Sequence, residues 1–210
     1  MVQGLSDDSP GGSARRHEAS DPGRIMRRMR PDHPVCGARR PGVAGLCGLV
    51  AVLIGCSPSL NWRDVRAAPS PLSLMLPCKP DQGSRTVPFA GRDTPLHLVG
   101  CDAAGITFAA AHAEVAADAD VQAVLRQWMT LTLSHVKAQG VQEQPARVAN
   151  ASLALRVRAS GRRADGSPVH TEALYFAQGQ RVYQAVMYAP ADTREAREAA
   201  DTFLSSLKLQ

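Results

Sequence analysis

Two histidines and a glutamate are the residues of this 210-residue chain best suited to metal chemistry. His97 and His112 fall on two alternating apolar runs that read as a hairpin, so their imidazoles approach diagonally across it. Glu114 shares a strand face with His112. Two imidazoles and a carboxylate form a donor set for zinc or copper. Scattered polar positions on a hairpin are the simpler reading, and no cofactor is assigned. A second cluster is cationic. Arg156 and Arg158 share a strand face, and Arg162 and Arg163 lie at its end. Four arginines can meet an anionic surface of lipid headgroups or acidic polymer. Such a stripe is more commonly the solvated face of a hairpin, which discourages edge aggregation.

Nucleophilic catalysis finds no constellation. A nucleophile needs a base within hydrogen-bond reach. Ser134 and His135, adjacent on a predicted helix, point about 100° apart. There is no G-x-S-x-G elbow, and no glycine loop is built to cradle phosphate. Carboxylate pairs for glycoside hydrolysis need only meet in space. Asp165, Asp192 and Glu195, however, already have turn and capping roles.

Charge divides the chain unevenly. The formal net charge of +5 comes largely from residues 1–55, which hold eight arginines against five acids. From residue 56 onward, sixteen basic side chains face fourteen acidic ones. That near balance excludes nucleic acid as a partner, because a phosphate backbone demands a dense basic footprint. The one strongly apolar run is Val43–Ile54, twelve residues. A bilayer core about 30 Å thick needs about 20 helical residues, so this run is too short to span. It has the length of a signal-peptide apolar region, and Arg39, Arg40 and the arginines at 24–30 form its positive flank.

The run ends Leu53-Ile54-Gly55-Cys56, which resembles the lipobox of bacterial lipoproteins. That resemblance implies a diacylglyceryl thioether on Cys56, cleavage after Gly55 and acylation of the new amino terminus. Ser57 after the cysteine resembles an outer-membrane address. Localisation is then the cell envelope, lipid-anchored in the outer membrane and facing the periplasm, with the membrane itself as first partner. Residues 1–28 read as an extension ahead of a start at Met26 or Met29, and residues 29–55 as the signal peptide. Of five cysteines, Cys36 and Cys47 then lie in the leader and Cys56 carries lipid. Cys78 and Cys101 remain in an oxidising compartment, where a structural disulfide persists.

Residues 56–70, with Pro58 and Pro69, read as a tether, on which Trp62 packs at the domain edge. Residues 71–210 read as one domain. Leu72–Leu76, Arg85–Phe89, Leu96–Cys101 and Ile106–Ala113 alternate with period two. A helix capped by Asp118 or Asp120 runs from Val121 to a stop at Gly140. Three strands follow over 153–158, 170–176 and 182–188, with turns at Asp165-Gly166 and Gly179. A last helix opens with a capping box, Asp192 and Glu195, and repeats Ala196, Ala199, Ala200, Phe203 and Leu204. The order ββββαβββα specifies an α+β fold, a mostly antiparallel sheet of about seven strands packed with two helices. With the stretch Leu76-Pro77-Cys78-Lys79-Pro80 and the closing Phe203–Leu207 helix, it resembles the PsbP/Mog1-like α/β/α sandwich. With a fold signal and no site signal, the chain reads as a non-catalytic binding or accessory module, with an envelope protein as a possible partner. A hydrolase with a dispersed site, or a small-ligand or metal binder, is the alternative.

Overall fold

The computed structural model describes residues 60–210. The elements run β1 (Arg63–Arg66), β2 (Leu72–Leu76), β3 (Asp81–Phe89), β4 (Arg92–Ala103), β5 (Ile106–Glu114), α1 (Val121–His135), β6 (Gln139–Pro145), β7 (Leu153–Arg162), β8 (Pro168–Gln178), β9 (Arg181–Ala189), α2 (Arg194–Ser205) and β10 (Lys208–Leu209). Seven strands form one antiparallel sheet in the order β3-β4-β5-β9-β8-β7-β6, and β1-β2-β10 make a second, small sheet. The α+β class and the two helices agree with the alternation and helical periods in the sequence.

Both faces of the large sheet are covered, which explains why β8 is buried along almost its whole length. On one face α1 lays Val124, Leu125, Trp128 and Met129 against Val157, Ala173, Tyr175 and Val186. On the other, α2 and the small sheet pack Phe203, Leu72, Leu74 and Leu76 against Phe108, Leu174, Phe176 and Met187. Alternation along β8 sends Tyr175 to the first core and Leu174 and Phe176 to the second.

Several boundaries differ from the sequence reading. The expected tether ends earlier, because Val65 and Ala67 are buried in the core and Trp62 meets Phe108 edge-on at 5.8 Å. Leu72–Leu76 belongs to the small sheet, and the seventh strand of the large one is β6, whose residues are all exposed. An edge strand without a buried face has no apolar alternation to reveal it. Helix α1 stops at His135, where Lys137 takes a positive φ of 47°, so Gly140 is not its terminus. Asp120 does cap α1, accepting from the Ala123 amide. Helix α2 is capped by Thr193 rather than Asp192, because Asp192 is bound to Arg197 instead.

Two glycines make close approaches. A Cβ on Gly161 would stand 2.1 Å from the Val136 carbonyl oxygen, and one on Gly100 would stand 2.5 Å from that of Phe108. The first contact lets the Arg162 amide donate to the Val136 carbonyl at 2.7 Å, which ties the end of α1 to β7.

Candidate functional site

The arginine stripe on β7 is built around a buried carboxylate. Register pairs Arg158 with Glu172 on β8, and Arg156 with Leu174. Glu172 is 0% exposed. Both its oxygens are occupied. Arg156 donates to Oε2 through Nε at 3.2 Å and through Nη2, and Arg158 Nη2 reaches the same oxygen at 3.3 Å. Arg158 Nε lies 3.1 Å from Oε1, and His170 Nε2 lies 3.4 Å from it. Arg156 also reaches Asp201 on α2, and His170 lies 3.5 Å from Asp192. Burial alone would raise the Glu172 pKa, but the hydrogen bonds from His170, Arg156 and Arg158 outweigh it and hold it at about 2.

This geometry revises the anionic-surface reading for two of its four arginines. Arg156 and Arg158 are spent on Glu172, and Arg162 donates to the Gly166 carbonyl across its own hairpin turn. The cluster ties β7 and β8 to α2. Glu172 and His170 were the residues overlooked in the sequence. A signal was present: Glu172 shares its strand face with Leu174 and Phe176, where a carboxylate has no place without a cation.

The histidine pair does come together. His97 and His112 are direct cross-strand partners rather than diagonal neighbours. Their rings stack at 4.9 Å and 13°, and the row continues through Tyr183 to Phe176. Glu114 lies nearby but is paired with Arg181 at 3.0 Å. Among the described residues, no three histidine, cysteine or acidic side chains converge to hold a metal ion. His112 is 4% exposed, and its pKa is pushed down to about 4, first by burial, then by His97 and Arg181. Beside it lies a cavity of about 190 Å³ walled by Pro69, Pro95, His97, Glu114 and Arg181.

A second concavity, of about 210 Å³ and largely apolar, opens between α1 and the β6–β7 edge, lined by Leu125, Pro145, Leu153, Leu155 and Tyr175. Below α1, Gln184 donates to both Thr132 Oγ1 and the Tyr175 hydroxyl, so the polar atoms under the helix are bonded to one another. Ser134 donates to the Leu131 carbonyl of its own helix and makes no pair with His135. Cys78 and Cys101 stand at disulfide distance, with sulfurs 1.98 Å apart, and join the end of β2 to β4. Cys56 lies outside the described residues. Among those described, no helix is long and apolar enough to cross a membrane.

No protein-family model and no curated protein matches the chain. Among solved structures, it is similar to cyanobacterial PsbP (CyanoP) from Synechocystis sp. PCC 6803, with 11% identity and a TM-score of 0.48, covering 79% of this chain and 98% of that one. It is also similar to PA94 from Pseudomonas aeruginosa, a protein of unknown function, with 13% identity and a TM-score of 0.32, covering 66% of this chain and 90% of that one.

Proposed function

We propose that this chain is a bacterial envelope lipoprotein, lipidated at Cys56 and facing the periplasm from the outer membrane, whose folded domain works as a binding or accessory module. The observation that carries this reading is Leu53-Ile54-Gly55-Cys56 at the end of a positively flanked apolar run. Three residues separate Cys56 from Leu60, where the described fold begins, so the anchor would hold the domain close to the bilayer. Each buried acyl methylene adds about 0.8 kcal/mol, and two or three chains would make attachment effectively permanent. Cys78 and Cys101 at disulfide distance accord with an oxidising compartment.

Binding is favoured over catalysis by what the buried ionisable groups do. Glu172 and Asp201 together balance Arg156 and Arg158, and His112 is neutral near pH 7 with His97 stacked on it. The apolar concavity beside α1 favours a second reading, in which the domain takes an apolar small ligand there.

The anchor is tested by expressing the full chain in a Gram-negative host with labelled palmitate. Wild type should enter the membrane fraction carrying label, with Cys56 at its amino terminus, and Cys56→Ser should be unlabelled and retain its leader. An unmodified Cys56 in soluble wild-type protein would refute the reading.

A further inference from the structure

We propose that His112 is an acid-released latch: neutral, it holds the turn between β1 and β2 against the large sheet, and protonated, it frees that turn together with β1. The imidazole sits beneath this turn. The carbonyls of Ala67 and Ala68 face it, and Pro69 closes the adjoining cavity. Its Nε2 is buried and makes no hydrogen bond.

The charged surroundings of His112 come from three strands. His97 faces it from β4, Arg181 and Tyr183 from β9, and Glu114 from its own β5. The segment above, Ala67-Ala68-Pro69-Ser70-Pro71-Leu72, contains no titratable side chain. A proton on His112 would therefore sit between an imidazole and a guanidinium. The one carboxylate at hand, Glu114, is bound to that guanidinium at 3.0 Å. The carbonyls of Ala67 and Ala68 favour the proton, but they are outweighed, and the pKa falls to about 4.

Once the turn lifts, water reaches the ring and relieves the burial, the largest cause of the low value, while His97 and Arg181 stay beside it, so the pKa rises towards its ordinary value of about 6.5 without passing it. The closed state then binds fewer protons than the open one between pH 6.5 and 4. Closure is at full strength above this window and weakens as pH falls through it, by up to about 300-fold. The element is built to yield. Strand β1 pairs with β2 alone, and its release uncovers Val65, Ala67 and the edge of Trp62. Strand β2 stays behind, held by Leu72, Leu74 and Leu76 in the core.

The latch depends on the folded domain and not on lipidation. If Cys56 is the anchor, as proposed above, release adds about ten residues of slack, which extends the domain's reach from the bilayer by roughly 35 Å.

Hydrogen exchange of the full-length chain in detergent, corrected for intrinsic rates, tests this between pH 7 and 4.5. Residues 61–70 should lose protection by up to about 60-fold between pH 7 and 4.5, while residues 169–189 keep theirs. His112→Phe preserves a flat ring and removes the titrating nitrogen, so its protection over 61–70 should not follow pH. Should that variant fail to fold, the His112 ring titration in wild type decides. A midpoint near 4 that moves with the amides of Ala67 and Ser70 supports the latch, and a midpoint near 6.5 overturns it. Unchanged protection in wild type, an equal loss in His112→Phe, or a loss shared by 169–189 also overturns it. Intact mass of the same sample reports acylation separately.

Discussion

Replacing Glu172 by glutamine keeps the side-chain shape and removes the one negative charge that Arg156, Arg158 and His170 surround. The carboxylate titrates at about 2 in the fold, against the ordinary carboxylate value when the chain is unfolded. The difference of about 2.5 pH units amounts to about 3 kcal/mol of stability at pH 7. This agrees with the about 3–5 kcal/mol lost when one partner of a buried ion pair is removed. The folded-state pKa is depressed, so the contribution is fully present above the unfolded value and is lost as pH falls towards 2. At pH 3 roughly 1 kcal/mol remains. Urea titration of wild type and Glu172→Gln at pH 7 should separate their midpoints by about 1.5 M, for a slope of about 2 kcal/mol/M. At pH 3 the separation should shrink by more than half. A difference at pH 7 below about 1 kcal/mol would refute the account of Glu172 as a charge that these cations require. So would a separation that does not shrink in acid.

Two further outcomes follow from the fold. Gly161→Ala should destabilise by at least about 2 kcal/mol in the same titration, because the Val136 backbone must retreat from the added methyl. Cys78→Ser should cost about 3 kcal/mol, and adding reductant should bring wild type to the same midpoint while leaving the variant unmoved, since the two sulfurs close a loop between positions 23 apart.

Much of this fold was legible because burial writes its period into a strand. Leu72, Leu74 and Leu76 are each buried, and the alternating leucines announce it. The repeat of Ala196, Ala199, Ala200, Phe203 and Leu204 gives α2 in the same way. Strand β6 was illegible for the opposite reason: Gln139–Pro145 has no residue that the core selects. The two-residue β10 is too short for any pattern. The site clusters lay between these extremes. The pairing of His97 with His112 follows from joining two strands at Ala104-Gly105, where both residues take positive φ. What His112 meets does not follow, because Ala67 and Ala68 belong to a segment that reads as linker. The pairing of Arg156 with the buried Glu172 likewise needed a register that only the Asp165-Gly166 turn fixes.

The small sheet has a consequence for the order of assembly. Strand β2 pairs with β1 on one edge, but on its other edge residues 72–73 find their partners only at 208–209. The strands from β3 to β5 and from β6 to β9 join neighbours in sequence and close short loops, which is the fast kind of pairing. A chain emerging from its amino terminus can therefore complete the two hairpin runs while β2 still presents an open edge. The final residues are then more than a tail. Until Leu209 has been delivered, the leucines of β2 have only part of their cover, and chains that stop a few residues short carry a sticky strand.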